Sequence, residues 1–339
     1  MITEVINGKK GNVLSIEYML GNLCNYKCSY CFPGSNEGTY PWPDADITIK
    51  NLDHLIEHYK QFGKTKFEFY FIGGEPTLWK DLVRVCSHLK NNYNVKIRIS
   101  TNATRKIDWW KENAWLFDQI EISVHHEYVK IPHIIEVADI LYKKKVNVSA
   151  NVLMDPNHFE KCKGLIEQLR KSKKRWPIIA KTVHYDGQTR YDDSQKKFVS
   201  KSLKRWPNLF WWYTLPDHEV RRVWAVIDGL RHEVEYDWFV LNDLNRFKGW
   251  TCNLGVDYIE IFQDGRIAGV CGEKIYGENK YYNLYDKDFL EKFKPEIKPI
   301  VCGKELCCCA GEVTINKVNL STTSQRPMIP IYPETHRIV

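Results

Sequence analysis

The sequence contains no apolar run near the ~18 residues that a membrane-spanning helix requires. Its first residues lack the basic-then-apolar order of a secretory signal peptide, and no internal repeat recurs along the chain. The 11 cysteines are odd in number and clustered, which argues against a disulfide framework and favours reduced thiols that hold metal. These absences exclude membrane-spanning, secreted disulfide-rich and repeat proteins, and we expect a cytoplasmic protein.

The composition is that of a globular protein without a nucleic-acid-binding surface. Hydrophobic residues make up 43% and charged residues 27%, which excludes disordered and collagen-like chains. The net charge is +7, but 42 acidic residues are interspersed among 49 basic ones. This balance permits an anionic substrate without requiring one. A length of 339 residues predicts two domains, at ~150 residues per domain.

Strand and helix patterns alternate through roughly the first 200 residues. Strands are predicted at 13–20, 66–72, 95–100, 119–124, 146–153 and 178–184. Helices are predicted at 48–61, 78–91, 108–117, 131–143, 158–170 and 192–203. Six strand–helix units indicate a parallel sheet with right-handed crossovers, but they are too few for an eight-stranded barrel. We therefore predict an α/β fold, a partial (β/α)6 TIM-like barrel with its active site at the carboxyl ends of the strands.

The alternation ends near residue 204. Seven of the 12 tryptophans lie between Trp176 and Trp250, a pattern typical of an aromatic bridge between domains, with a substrate-facing wall as the alternative. A hairpin is predicted at 256–270, with its turn at 263–265. The predicted domains are a barrel at 1–204, an aromatic-rich linker at 205–250, and a small α+β domain with a polar tail at 251–339.

Three cysteines, Cys24, Cys28 and Cys31, follow the first predicted strand at C-x3-C-x2-C spacing. Three thiolates can each hold one iron of a 4Fe-4S cluster and leave the fourth iron open. A reactive centre needs such an open position, as catalytic zinc sites illustrate. The alternative is a zinc knuckle completed by a distant His or Cys.

Residues 24–32, with Phe32 directly after the third cysteine, resemble the cluster loop of the radical S-adenosylmethionine (radical SAM) superfamily. The resemblance implies that the open iron chelates the amino and carboxylate groups of SAM. One electron, from a donor such as flavodoxin or ferredoxin, would then cleave SAM to a 5′-deoxyadenosyl radical that abstracts hydrogen from a substrate. The cofactors supply this chemistry, and the protein supplies orientation and exclusion of solvent.

Further residues at predicted strand ends resemble SAM-contacting segments of the same superfamily. The strongest match is Gly73-Gly74-Glu75-Pro76, where glycines allow close approach and carbonyl and carboxylate oxygens suit the ammonium of SAM. An ordinary strand-to-helix turn is the alternative for that motif alone. Weaker matches are Thr101-Asn102, followed by Ala103 where the family has glycine, and the single residues Ser123 and Asn151. Each of these could instead cap a strand end.

A second cysteine group resembles the SPASM and shortened twitch extensions of radical SAM enzymes. Its members are Cys252, Cys271, Cys302, Cys307, Cys308 and Cys309. Six cysteines are fewer than the full series of seven or more, so we predict one auxiliary 4Fe-4S cluster. Its expected ligands are Cys252, Cys271, Cys307 and Cys309, with Cys302 as a further candidate, because alternate residues of an extended segment point to one side. A structural zinc site is the alternative.

The remaining cysteines, Cys86 and Cys162, fall in helix patterns and are predicted to be core residues. The resemblance predicts a radical SAM oxidoreductase that oxidises or cross-links a peptide or protein side chain, with the auxiliary cluster accepting an electron. One alternative is dehydrogenation or rearrangement of a small polar metabolite, sugar or nucleotide. Another is a non-catalytic iron–sulfur or zinc protein on the same scaffold. No catalytic acid or base is assigned, because Asp186, Asp217 and Glu219 are more typical of surface loops.

Overall fold

The computed structural model describes residues 2–8, 11–172, 176–184, 188–204, 223–234, 236–269, 275, 281–307 and 313–321. The strands are, in chain order, β1 (Ile2–Asn7), β2 (Val13–Met19), β3 (Lys66–Ile72), β4 (Val95–Thr101), β5 (Gln119–Val124), β6 (Asn147–Met154), β7 (Ile178–Thr182), β8 (Val223–Ile227), β9 (Leu230–Val234), β10 (Thr251–Cys252), β11 (Tyr258–Ile261), β12 (Arg266–Ala268), β13 (Tyr282–Asn283), β14 (Ile300–Val301) and β15 (Lys317–Val318). The α-helices are α1 (Ala45–Lys60), α2 (Leu82–Asn92), α3 (Ile107–Asn113), α4 (Ile131–Lys143), α5 (Phe159–Lys171), α6 (Asp193–Lys204), α7 (Tyr236–Leu241) and α8 (Phe289–Lys292). Within these residues, none of the helices combines the length and the apolar character needed to cross a membrane.

The larger sheet contains six neighbouring parallel strands, β2 to β7, in sequence order. Helices α1 to α5 connect successive strands, except that residues 20–44 precede α1 as a long loop. Strand β3 shows the packing pattern, because Phe67, Phe69 and Phe71 are at most 1% exposed while Glu68 and Tyr70 occupy its other face. This arrangement confirms the predicted partial (β/α)6 barrel, an α/β fold.

The predicted element boundaries agree with the structure to within a few residues. The strands at 66–72 and 119–124 and the helix at 131–143 coincide with β3, β5 and α4. The largest differences are at the end of α3 and at the start of α2, which begins at Leu82 because a separate 3-10 turn, Pro76–Leu78, precedes it. Proline is favoured at the first position of such a turn, where its missing N–H has no partner to lose.

The predicted hairpin at 256–270 is present as β11 and β12, although Val270 lies outside the described residues. Its first strand pairs in parallel with β2, from Tyr258 beside Ser15 to Ile261 beside Tyr18. The hairpin and β13 therefore extend the barrel sheet to nine strands at its β2 edge. The turn uses Gly265 at a φ of +84°, a conformation that favours glycine.

A second sheet, in the order β14-β10-β15-β1-β8-β9, consists of antiparallel pairs. Its strand β1 was not predicted, and β8 and β9 lie where a linker was predicted. The sheet and α7 bury a core of their own, which includes Val5, Ala225, Phe239, Phe247 and Val313. The predicted domain boundaries stay a prediction, and strand pairing crosses both of them. Residues 205–222, with several of the clustered tryptophans, lie outside the described residues.

Candidate functional site

The cysteine loop, residues 20–44, leaves the carboxyl end of β2, at the edge of the barrel where active sites of such folds form. A turn within it brings the N–H of Cys31 to 3.1 Å from the carbonyl oxygen of Cys28. The backbone N–H of Tyr26 donates to the sulfur of Cys24 at 3.3 Å. All three cysteines are free thiols, and Cys28 is buried.

Burial raises the pKa of each of the three thiols. It raises the pKa of Cys28 to about 12, and the carboxylate of Glu127 contributes to this shift. Each thiol would have to lose its proton to bind a metal.

The two glycines of the Gly73-Gly74 motif lie against the backbone that leads into the cysteine loop. Both have positive φ, +91° and +47°. A Cβ added at Gly73 would lie 2.5 Å from the carbonyl oxygen of Gly21, and one at Gly74 would lie 2.3 Å from that of Leu23. Only glycine fits at either position, because the obstacle is backbone that cannot turn away. The motif supports the start of the cysteine loop.

Glu75 connects three segments of the site through hydrogen bonds of its carboxylate and of its backbone N–H. Its Oε1 accepts hydrogen bonds from the Thr77 N–H and hydroxyl at 3.1 and 2.5 Å and from the Thr101 hydroxyl at 2.6 Å. Its Oε2 accepts from the backbone N–H of Asn102 at 2.6 Å, and its own N–H donates to the carbonyl of Leu23. Each carboxylate oxygen has two lone pairs, so the three donors share Oε1, and Oε2 accepts one hydrogen bond. The side chain is 1% exposed, and burial raises its pKa while these hydrogen bonds oppose the shift.

The segment after β4 reaches the cysteine loop directly. The Asn102 amide donates to Oδ1 of Asn25 at 2.8 Å, and its nitrogen lies 3.9 Å from the sulfur of Cys24. Ala103 has a φ of +58°, so the alanine adopts the left-handed conformation for which glycine is favoured. The loop therefore keeps a glycine-like backbone despite the residue that departs from the family pattern.

A third support, which the sequence did not indicate, comes from the segment between β5 and α4. Glu127 accepts hydrogen bonds from the N–H and hydroxyl of Ser29 at 3.0 and 2.5 Å. The Tyr128 hydroxyl donates to the carbonyl of Lys27 at 3.1 Å, and its ring stacks on Tyr26 at 4.7 Å. These contacts hold the middle of the loop, between Cys24 and Cys31. Their only sequence signal is polar residues directly after a strand.

The start of the loop is also fixed by Asn22, another residue that the sequence reasoning missed. Its buried amide donates to the carbonyl of Gly34 and the hydroxyl of Thr39, and its Oδ1 accepts from the N–H of Tyr40. The two ends of the long loop are thereby tied together. A buried asparagine beside a glycine at a strand end is a weak signal, because it also fits an ordinary turn.

The remaining predicted SAM-contacting residues lie in different environments. Ser123 and Ser100 share a hydrogen bond of 3.2 Å between their hydroxyls, and the Asn151 amide donates to Glu121 at 3.3 Å. Pro76 is buried in the 3-10 turn, whereas Phe32 is 55% exposed. These four residues are therefore not gathered into one contact group, and their roles toward SAM stay predictions.

The interior face of the barrel is polar. Glu121 forms an ion pair with Arg98 and accepts a hydrogen bond from the Tyr70 hydroxyl at 3.2 Å. The Arg98 guanidinium lies 3.8 Å from the centre of the Tyr70 ring. The side chains of Arg98 and Glu121 are 26% and 13% exposed.

The second cysteine group is only partly described, because Cys271, Cys308 and Cys309 lie outside the described residues. Cys307 is buried in the core of the second sheet, and Cys302 packs against that core. Cys252 lies in β10, where it pairs with Ile300, two residues before Cys302. Cys302 and Cys307 thus share one hydrophobic core, whereas Cys252 belongs to the core of the barrel, and the role of all three as metal ligands stays a prediction. Cys86 and Cys162 are fully buried in α2 and α5, as expected for core residues.

Parts of this chain are similar to known proteins. Residues 18–150 match the model of the Radical SAM superfamily. A stretch of 93 residues is 30% identical to GTP 3′,8-cyclase of Haemophilus influenzae (strain PittEE) and covers 26% of this chain and 27% of that protein. Radical SAM cyclopropyl synthase TigE of Paramaledivibacter caminithermalis is 29% identical over 103 residues, with 26% and 21% covered. The matches thus span about a quarter of these relatives.

The fold is similar to a solved structure of polyhistidine-tagged anSMEcpe with bound AdoMet. The TM-score is 0.50 at 17% sequence identity, over 83% of this chain and 80% of that chain. At this identity the likeness concerns the fold, a parallel partial barrel followed by a smaller antiparallel sheet.

Proposed function

Because this chain belongs to the radical SAM superfamily, we propose that Cys24, Cys28 and Cys31 hold a 4Fe-4S cluster that binds SAM. The observation that carries this proposal is the support of the cysteine loop from three directions: Gly73 to Glu75, Asn102, and residues 127–128. A loop built to ligate three irons at fixed separations needs such support, because each ligand must be in place before the cluster binds.

The cluster and SAM, when bound, supply a 5′-deoxyadenosyl radical from one added electron, and this chain supplies the rest. The three thiols lose their protons and hold iron. Glu75 holds the start of the loop next to the end of β4. Gly73 and Gly74 allow the backbone of Gly21 and Leu23 to pass close to them. Flavodoxin or ferredoxin is the electron donor that we propose.

We propose that the substrate is a polar side chain of a peptide or protein, which the enzyme oxidises or cross-links. The polar side chains of the barrel interior, among them Arg98 and Glu121, support a polar substrate. The same interior also suits a small polar metabolite, which is the second candidate.

Deuterium transfer tests this function even while the substrate is unidentified. We expect the anaerobic protein, supplied with SAM and dithionite, to produce 5′-deoxyadenosine. Extracts of cells grown on deuterated amino acids, separated by size, provide the candidates. Deuterium in 5′-deoxyadenosine from the peptide and protein fraction supports the proposal, and deuterium only from the small-molecule fraction supports the metabolite. If no 5′-deoxyadenosine forms under any condition, the chain is a non-catalytic scaffold.

A further part of the proposal is one auxiliary 4Fe-4S cluster in the C-terminal region, which takes up the electron released when the substrate radical is oxidised. Cys252, Cys271, Cys307 and Cys309 are the proposed ligands. The packing of Cys302 against the core that contains Cys307 makes Cys302 a competing ligand. Four thiolates would ligate every iron, so this cluster would not bind SAM.

Iron content tests the auxiliary cluster. We expect roughly eight irons per reconstituted chain, four for each cluster. Cys307→Ala should lose about half of this iron and all substrate oxidation, yet still cleave SAM slowly. Cys162→Ala is the matched control, since Cys162 is an equally buried thiol in α5, and it should keep all its iron. A wild-type content near four irons with stoichiometric zinc would contradict the auxiliary cluster.

A further inference from the structure

Two histidines and one aspartate form a compact group where β5 and β6 end. Nε2 of His126 lies 3.0 Å from Oδ2 of Asp155, and Nδ1 of His158 lies 2.7 Å from the same oxygen. Ligand atoms of all three residues lie within 4.8 Å of one another. Among the described residues, no other group of three or more His, Cys, Asp and Glu side chains is this close.

The burial of these side chains differs in a way that suits a binding site. The side chains of His126 and Asp155 are each 1% exposed, whereas that of His158 is 52% exposed. Asp155 is also fixed by the backbone N–H of Asn157, which donates to its other oxygen at 3.0 Å. The side chains of His126 and Asp155 are therefore held rigidly inside the protein. The side chain of His158 faces solvent, from which an ion can enter.

His126 can offer Nε2 to an ion, because this nitrogen lies 3.0 Å from Oδ2 of Asp155. Nδ1 of the same ring is buried and has no hydrogen-bond partner among the described residues. No other hydrogen bond of the ring within those residues therefore opposes binding through Nε2. Asp155 can offer Oδ2, the carboxylate oxygen that both histidine nitrogens already face.

We propose that His126, Asp155 and His158 bind a divalent first-row transition metal ion, separate from the cysteine-ligated iron. Two imidazoles and one carboxylate are the donor set of many zinc and ferrous iron sites that keep open positions for water or another ligand. The set contains no thiolate, so it differs in chemistry from both cysteine groups. The proposal does not depend on the radical SAM activity.

Binding requires one local adjustment. The two imidazole rings are stacked, with centroids 4.7 Å apart and planes at 30°, so their in-plane lone pairs do not yet meet at one point. His158 must turn about its side-chain bonds, and its exposure at the end of the 3-10 turn Pro156–His158 allows this. His126 cannot turn as easily, because Tyr30 stacks on it at 5.1 Å.

The same stacking connects the ion site to the cysteine loop. Tyr30 lies between Cys28 and Cys31 in sequence and packs with Cys28 in one small buried cluster. An ion that fixes His126 would therefore also restrain Tyr30 and the loop that carries it.

Cobalt binding to the reconstituted holoenzyme tests the site. Co²⁺ is a suitable probe because its own X-ray absorption edge reports its ligands without interference from iron. We expect one Co²⁺ per chain with nitrogen and oxygen neighbours and no sulfur. His158→Ala should weaken Co²⁺ binding by at least about ten-fold. His232→Ala, at an exposed histidine of β9, should bind Co²⁺ as the wild type does.

Asp155→Asn provides a second, nearly isosteric variant that removes the anionic ligand. It should also lose Co²⁺ while its iron content stays that of the wild type, which separates the ion site from the clusters. Sulfur neighbours around cobalt, or Co²⁺ binding that His158→Ala leaves unchanged, would overturn the proposal. In that case the three residues form only a hydrogen-bonded brace for Tyr30.

Discussion

Replacing Cys24, Cys28 and Cys31 together by alanine is expected to abolish SAM cleavage completely. Without the three thiolates the first cluster has no ligands, so SAM has no cluster iron to chelate. Iron should fall by about four atoms per chain. The measurements are 5′-deoxyadenosine formation under anaerobic conditions and the change in the spectrum of the reduced cluster when SAM is added.

Cys86→Ala is the matched control for this experiment. Cys86 is a fully buried thiol in α2 with no role in the loop, so this variant should keep its iron and its SAM cleavage despite some loss of packing. Residual 5′-deoxyadenosine from the triple variant would show that the loop has been misassigned.

Glu75→Ala is expected to destabilise the protein and empty the first cluster site. The substitution leaves the buried donors of Thr77, Thr101 and Asn102 without their acceptor. Each buried donor that loses its acceptor lowers the free energy of unfolding by about 1–3 kcal/mol. Because Glu75 joins the Gly74 turn to β4 beside the cysteine loop, the iron of the first cluster should fall together with the unfolding temperature.

Two further variants separate support of the loop from direct contact with SAM. Glu75→Gln retains one acceptor oxygen and should fall between the wild type and Glu75→Ala in both stability and iron content. Glu136→Ala, at an exposed acid of α4, should match the wild type. Full iron content in Glu75→Ala with SAM affinity reduced ten- to a hundred-fold would instead assign the carboxylate to the SAM ammonium, at about 1.5–3 kcal/mol for a charged hydrogen bond.

The barrel could be predicted from sequence because its elements are defined by local patterns. Apolar residues at every second position mark β3, and apolar residues at helical spacing mark α4, so both boundaries were found. Strand β1 was missed because its partners, β8 and β15, are more than 200 residues away and its own pattern is only weakly apolar. Pairing at such separations leaves no local trace in a single sequence.

The candidate site shows the same division. The cysteine spacing and the Gly73 to Pro76 motif could be identified from the sequence. Cluster ligation and close backbone approach each restrict the residue types that fit. Glu127 could not be found in this way, since any polar residue can follow a strand, and only the fold brings it to Ser29. The hydrogen bonds of the Glu75 carboxylate could not be predicted either, because their donors come from two separate strand ends.

The parallel pairing of β11 with β2 has a consequence for the order in which the protein can fold during synthesis. Strand β2 leaves the ribosome early, but its outer edge is covered only by residues 258–261, more than 230 positions later. Until then β2 presents unpaired backbone N–H and carbonyl groups, which can recruit a strand from another chain. A nascent chain that has formed β2 to β7 but not β11 is therefore prone to aggregate through this edge. Chains stalled before residue 258 would depend on a chaperone to cover it.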